Sequence, residues 1–169
     1  MDKGEKHKRP SIQDVEREDL EWLAESFDIA ETKEDGIWCW VVVRSGVGTI
    51  IRRSGLTHGT VDLEGVPDCT LCAELLIWSP RSKASVDYGN YRVFDCLEVS
   101  GRETSCAPLS ERRALAESIV ATMPEGWRMV RQWTDLAEAL QYSIDHDLEG
   151  IVIKRSVAPH GEPWARVVL

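Results

Sequence analysis

The chain has 169 residues, 43% of them hydrophobic, which favours one domain with enough apolar side chains to build a core. Its 29 acidic and 20 basic side chains leave a net charge of -9, which argues against a strong autonomous grip on a nucleic-acid backbone yet leaves room for a local basic groove. No apolar run approaches the roughly 20 residues of a membrane helix, and the polar opening MDKGEKHKRP lacks the apolar core of a secretory signal, so no membrane partner is expected.

Residues 1–10 read as a flexible basic tail with Lys3, Lys6, Lys8 and Arg9, ahead of a single domain over 11–169. Residues 11–27, SIQDVEREDLEWLAESF, read as a helix: Ser11 or Asp14 could cap it, and Val15, Trp22 and Leu23 supply apolar positions. IWCWVVVR (37–44) is a buried strand, SGVG a turn and TIIRR (49–53) the return of a hairpin. Residues 53–69 are loop-rich, 70–78 form an apolar strand and 79–90 a loop. YRVFDCLEV (91–99) alternates as a strand. A helix follows over 107–123 with Ser110 as its cap, and Leu115, Ile119 and Met123 lie along one face. Residues 127–133 read as a strand, 134–147 as a helix capped by Thr134, and 150–155 and 164–169 as strands. Strands with helices inserted between them predict an α+β class, with antiparallel sheets around a groove.

Five cysteines, an odd count without a signal, fit a reducing cytoplasmic compartment. Cys69 and Cys72 form a lone C-x-x-C without the second pair that a zinc site wants. Cys72 also lies in a strand, where cysteine is usually a small buried hydrophobe.

Chemistry concentrates before the first hairpin. ETKEDGIWCW places Lys33, Asp35 and Gly36 as K-x-D-G at the mouth of a strand. Side chains two apart on an extended chain share a face, so ammonium and carboxylate form either an exposed ion pair or a tuned nucleophile with its neighbour. A second charged element, EGIVIK, runs from Glu149 to Lys154. By pattern alone, Arg53 in its arginine pair is exposed and Phe94 on an alternating strand is core. Glu149 ends a helix, where negative charge is unfavourable. Glu74, amid LCAELLIW, is a carboxylate that burial would require to be paired. No partner pattern attaches to His58, His146 or His160.

The order of the segments adds more. KEDG (33–36), RSG (53–55), AELL (73–76), YRVFDCL (91–97), PLSERR (108–113), EGIVIK (149–154) and WARVV (164–168) follow one another. This series resembles the nucleotidyltransferase domain of ATP-dependent polynucleotide ligases and mRNA-capping enzymes, over roughly residues 28–169. The stretch FDCLEVSGRETSCAPLSERRAL looks closer to ATP-dependent DNA ligases.

The resemblance implies an ATP-grasp-like ligase nucleotidyltransferase core: antiparallel sheets flanking a nucleotide groove, with peripheral helices. It implies ATP and Mg²⁺ as cofactors and nucleic-acid ends, nicked DNA or RNA, as partners. Lys33 would attack the α-phosphate of ATP as a neutral amine, although a free lysine titrates near 10.4; nearby positive charge, including a metal ion, can lower that value. Asp35 would help orient the site beside Gly36. Arg53 would hold ribose or phosphate, or the 5'-phosphate of the acceptor strand. Glu74 would bind the ribose hydroxyls, Phe94 would stack on adenine, and Glu149 would hold Mg²⁺. Arg166 stands where the family has a phosphate-contacting lysine. Lys154 also belongs to the nucleotide site by this likeness, although counting parity from Glu149 points it to the opposite face unless Gly150 breaks the alternation.

Three departures stand out. Cys72-Ala73-Glu74 replaces the usual D-G-E, and Val168 replaces the second lysine of the closing K-x-K. The sequence also stops where a ligase would continue into an OB-fold domain, which leaves three expectations: a partner protein that supplies the OB-fold function, an unusual substrate, or a minimal ligase that leans on its basic tail. An RNA ligase, a guanylyltransferase and a degenerate module that binds nucleotide or a partner protein remain as alternatives.

Overall fold

Two sheets carry the chain, and the alternation of their side chains decides which face each shows to the other. The computed structural model describes residues 10–76 and 90–169. The end of the strand expected over 70–78, nearly all of the loop expected over 79–90 and nearly all of the basic tail lie outside the described residues.

In chain order the elements are β1 (Ile12–Asp14), a 3-10 turn (Arg17–Asp19), α1 (Leu20–Leu23), β2 (Ile29–Lys33), β3 (Ile37–Arg44), β4 (Val47–Arg52), β5 (Thr57–Asp62) and β6 (Cys69–Leu75). They continue with β7 (Tyr91–Val99), β8 (Arg102–Glu103), α2 (Leu109–Val120), β9 (Trp127–Met129), β10 (Gln132–Trp133), α3 (Leu136–Asp145), β11 (Gly150–Lys154) and β12 (Trp164–Val168). The first sheet has the order β1-β12-β11-β2-β10, and the second β5-β4-β3-β6-β7-β8, with β9 also on β7. Most pairs are antiparallel, while β1 with β12 and β7 with β9 are parallel. The class is α+β, as expected.

Each sheet buries its outer face under helices. Val41, Leu71 and Val93 of the second sheet pack with Ala116 and Ile119 of α2. Ala30, Ile151 and Val167 of the first pack with Leu23 of α1 and Leu140 of α3. Between the sheets a smaller cluster joins Trp38, Cys72 and Phe94 to Trp164 and Val130. Successive strand residues point to opposite faces, so the chain alternates between an apolar core and this inner layer.

Local patterning misjudged several elements. The helix expected over 11–27 is instead β1, a 3-10 turn and one helical turn. Its first residues pair with β12 from the far end of the sequence, through Trp164 N–H to Ser11 O (2.9 Å) and Val15 N–H to Arg166 O (3.0 Å). Ser11 and Asp14 therefore cap nothing. The loop expected over 53–69 contains β5, which completes a meander with β4. The strand expected over 127–133 is two strands on two sheets, since β9 pairs with β7 and β10 with β2. Ser110 lies inside α2, whose N-cap is Pro108. Asp135, not Thr134, caps α3 by accepting from the N–H groups of Ala137 (2.9 Å) and Glu138 (3.0 Å). Cys69 and Cys72 point to opposite faces of the second sheet, Cys69 under α2 and Cys72 between the sheets, so their thiols do not converge.

Candidate active site in the groove between the sheets

Alternation along β2 turns Glu31 and Lys33 toward the second sheet. The register extends their face across the first sheet in rows. Glu31 lies opposite Val152, Val152 opposite Arg166, and Arg166 opposite Asp14. In the next row Lys33 lies opposite Gly150, and Gly150 opposite Val168. Phe94 of β7 and Trp38 of β3 face these rows from the other sheet.

The inner end of the groove is an 80 Å³ slot lined by Glu31, Trp38, Phe94, Val152, Lys154 and Trp164, with Lys33 and Glu74 at its edge. Lys154 is 2% exposed and forms an ion pair with Glu31. Its ammonium lies 4.0 Å from the ring centroid of Trp164 and 4.9 Å from that of Phe94, a cation–π arrangement. Glu31, equally buried, also accepts from Arg113 Nη1 (2.9 Å) and Gln132 Nε2 (3.2 Å). A buried carboxylate needs such partners, because leaving it unpaired is expensive. The exception that the parity count allows at Gly150 is the case found: Val152 and Lys154 both face the groove, and so does Glu149.

Gly150 resolves that conflict. It sits at φ +143°, and a Cβ built there would lie 2.0 Å from the Val167 carbonyl oxygen. The strand therefore kinks at glycine, and Glu149 turns back to form an ion pair with Lys33.

The slot opens into a 480 Å³ mouth lined by Lys33, Asp35, Gly36, Arg53, Glu74 and Glu149, together with Trp38, Arg52 and Ser54. Asp35 is exposed and lies past the end of β2, so it shares the mouth with Lys33 by a bend and not by strand alternation. Thr32 Oγ1 donates to Glu34 within that bend (2.9 Å). Gly36 lets the bend pass β6, since a Cβ there would meet Leu75 O at 2.5 Å and Glu74 Cγ at 2.8 Å. Glu74 lies opposite Trp38 on the adjoining strand. Arg166 stands in the groove-facing row but outside the lining, tied to Asp14 by a bond from Nε (2.5 Å). That bond holds the Asp14 carboxyl below its usual range.

A second buried cluster braces the slot from behind. Arg112 Nε and Nη2 donate to the two oxygens of Asp95 (2.7 and 3.0 Å), and Nη1 donates to the carbonyls of Ala107 (2.6 Å) and Ala158 (2.9 Å). His160 Nδ1 donates to Asp95 Oδ2 (3.0 Å). This fastens the β11–β12 connection to β7, next to Phe94.

The family model for the ATP dependent DNA ligase domain matches residues 69–163, more than half of the chain. The chain belongs to this family. No curated protein matches it. Among solved structures, the ligase domain of LigD from M. tuberculosis superposes with a TM-score of 0.73 at 18% identity, over 94% of this chain and 58% of that one. An archaeal ATP-dependent RNA ligase gives 0.61 at 21% identity, over 94% of this chain and 47% of its own. The ATP-dependent DNA ligase from bacteriophage T7, in complex with ATP, gives 0.59 at 14% identity, over 95% and 69%. At such identities the likeness is one of fold. The chain spans less than two thirds of the LigD ligase domain.

The ligase fold gathers Lys33, Asp35, Gly36, Arg53, Glu74, Phe94, Glu149 and Lys154 into one groove, and leaves Arg166 at its rim. Sequence reasoning missed Glu31, Trp38 and Trp164. Glu31 carries a usable signal: it lies two residues before Lys33, as Asp35 lies two after, so strand alternation puts it on the face of Lys33. The two tryptophans read as core and are core, but of the inner layer.

Proposed function

We propose that the chain is the nucleotidyltransferase core of an ATP-dependent polynucleotide ligase, forming a lysyl-AMP on Lys33 and passing AMP to a nucleic-acid 5'-phosphate for strand joining. The observation that carries this reading is the Lys33–Glu149 ion pair at the junction of an aromatic slot with a wide polar mouth. A base and a phosphate chain ask for those two environments in that order.

In this reading the base enters the slot and stacks on Phe94. The Lys154 ammonium already lies over that ring, so the base shares the ring with it or displaces it. Glu31 and Lys154 then face the edge of the base, one accepting and one donating. Glu74 takes the ribose hydroxyls. The phosphates extend into the mouth toward Arg53. Lys33 Nζ attacks the α-phosphorus, a P–N bond forms, and the bond to the bridging oxygen breaks to release pyrophosphate. The attacking amine must be neutral, so its proton passes to solvent before the P–N bond forms.

Mg²⁺ fits this donor set only in part. No group of three or more metal-ligating side chains occurs among the described residues. Glu149 would hold the ion together with phosphate oxygens, which is how Mg²⁺ commonly sits. When bound, the ion supplies positive charge that stabilises the phosphates. Glu149 engaged in that way would no longer pair with Lys33.

Residues 11–169 act as one domain in this account, and clamping of nucleic acid falls to an OB-fold supplied by a partner protein or another domain. DNA is the first substrate by the family match. The competing reading, a binding module without chemistry, draws on Val168 and on the engagement of Arg166 by Asp14.

Labelling tests the proposal. The protein is incubated with Mg²⁺ and α-labelled ATP or, separately, GTP, then denatured and resolved on a gel. Label from ATP that disappears in Lys33→Ala supports the reading, and label from GTP alone moves it to guanylyl transfer. Pre-adenylated nicked DNA and RNA, which bypass the first step, separate the two strand types. No label and no sealing of either would leave the binding module as the better account.

A further inference from the structure

Arg92 of β7 and Arg128 of β9 lie opposite each other on adjacent parallel strands. Their neighbours fix the way they point. Tyr91 and Trp127 stack with ring centroids 3.9 Å apart and planes at 8°, and Val93 and Met129 join them in the core under α2. Strand alternation therefore turns Arg92 and Arg128 to the other face, the groove side, with Phe94 and Val130. The register carries their row across the second sheet: Arg92 lies opposite Glu74, and Glu74 opposite Trp38.

This meeting of like charges lacks the usual compensation. Arg44, Arg112, Arg113 and Arg166 each donate to a carboxylate. Arg92 is half-buried, yet its Nη1 donates to neutral oxygens, Asn90 Oδ1 (3.0 Å) and the Tyr91 carbonyl (3.3 Å). Neither Arg92 nor Arg128 has an ion pair among the described residues. Burial holds the Arg92 guanidinium below the ordinary arginine value; the field of Glu34 opposes that shift, and the charge of Arg128 adds to it. Two guanidinium groups set side by side without a bonded carboxylate repel each other. They also leave donors for an anion from outside.

The pair lies off the lining of both the slot and the mouth. Arg53 follows β4, on the far side of β3 and β6 from it. In the reading above, the nucleotide runs from Phe94 past Glu74 toward Arg53, so its phosphates leave in the direction away from Arg92. A ligand that meets both cationic ends must cross the mouth. From β4 to β9 is four strand spacings, about 19 Å. A nucleic-acid strand covers that distance with about six phosphates at its rise of ~3.4 Å.

We propose that Arg92 and Arg128 form a phosphodiester-binding site at the rim of the groove, occupied by the backbone of an acceptor DNA strand that lies across the mouth from there to Arg53. That the strand accepts AMP rests on the nucleotidyl-transfer reading above; the binding chemistry does not. Contacts of this kind position a strand and carry no sequence information.

The test follows binding of a fluorescent nicked DNA duplex to the whole chain by anisotropy, over a range of salt and without ATP. Loss of one phosphate contact makes the fall of log K with log salt concentration shallower by about 0.9, or about eightfold in affinity at roughly 0.1 M salt. Arg92→Gln and Arg128→Gln should each show that loss, whatever the sequence of the duplex. Arg128→Glu should lose more, because it sets a carboxylate beside Arg92. Arg102→Gln removes the same charge at the far end of β7 and should leave the slope unchanged. Arg128 is exposed, so its substitution leaves the packing intact and decides the matter even where Arg92→Gln fails to fold.

A shallower slope in the rim variants and not in Arg102→Gln supports the site. Equal slopes in wild type and Arg128→Gln, an equal loss in Arg102→Gln, or no binding by the wild type at low salt overturns it. Rim-dependent binding without adenylation of Lys33 counts against the reading of function alone. Adenylation of Lys33 with rim variants that bind like wild type counts against this site alone.

Discussion

Lys33 and Glu149 form an ion pair where β2 ends and β11 begins, and the kink at Gly150 is what turns the carboxylate toward the amine. A regular strand would aim Glu149 at the opposite face, away from Lys33. The contact joins the two residues with the most chemistry in the groove, and it depends on one glycine.

Gly150→Ala should therefore damage both stability and chemistry. The new methyl would fall 2.0 Å from the Val167 carbonyl oxygen, in a backbone conformation that L-residues avoid. Strain and clash together should cost about 2–4 kcal/mol, read from urea melts. Adenylation should fall further than the lost folded fraction explains, because Glu149 is displaced. A variant as stable and as active as the parent would show that the kink is dispensable.

Asp95, 0% exposed, should dominate the acid sensitivity of the fold. Burial pushes its carboxyl up, but the bonds from His160 and Arg112 outweigh that and hold it below the usual range. An unfolded aspartate titrates near 3.9. Since the folded value is lower, the stabilisation is complete above about pH 4 and drains away as pH falls through the folded value. Asp95→Asn should cost about 3–5 kcal/mol near neutrality, the penalty for breaking a buried pair. The gap between variant and parent should narrow in melts below about pH 4. A gap that does not change with pH would remove Asp95 from this role.

Val168 offers a gain of function. It shares a row with Gly150 and Lys33, about 9–10 Å from Lys33 by two strand spacings. It is half exposed, so a longer side chain has room. Val168→Lys should raise the rate of Lys33 labelling about fivefold, equivalent to ~1 kcal/mol for a charge contact at a solvated rim. An unchanged or lower rate would mean that the phosphates do not pass this row.

The thiols provide a check on packing. Cys39, Cys69, Cys72 and Cys96 are buried and Cys106 is exposed. Burial pushes Cys39 and Cys69 up to about 12 and Cys96 up to about 11, which suppresses the reactive thiolate. Ellman's reagent should titrate one thiol promptly in the native protein and all five in denaturant. Two or more fast native thiols would contradict the packing between and beneath the sheets.

The parts legible in the sequence were those whose signals are local. β3 and β7 were read to the residue, because each is an apolar or alternating run between turn signals. The ordered motifs named candidate residues that the fold brings to one groove. What escaped was non-local. Residues 12–14 resemble a helix start and become a strand only because β12, about 150 residues later, offers an edge. β2 reads as polar, IAETK, and is buried because Arg113 and Lys154 arrive from elsewhere to neutralise Glu31. The face of Glu149 turned on a single φ angle at Gly150, the one exception that the parity count allows. His58 and His160 showed no pattern in sequence, since their partners Arg52 and Asp95 sit on neighbouring strands or across a loop.

The most direct test of the account is to map the covalent adduct. The protein is incubated with ATP and Mg²⁺, quenched, weighed intact by mass spectrometry and digested to locate any modification. The account predicts a mass gain of one AMP, carried by the peptide that contains Lys33, lost in Lys33→Arg and strongly reduced in Glu149→Gln. No adduct, or an adduct on another residue that persists in Lys33→Arg, would contradict it.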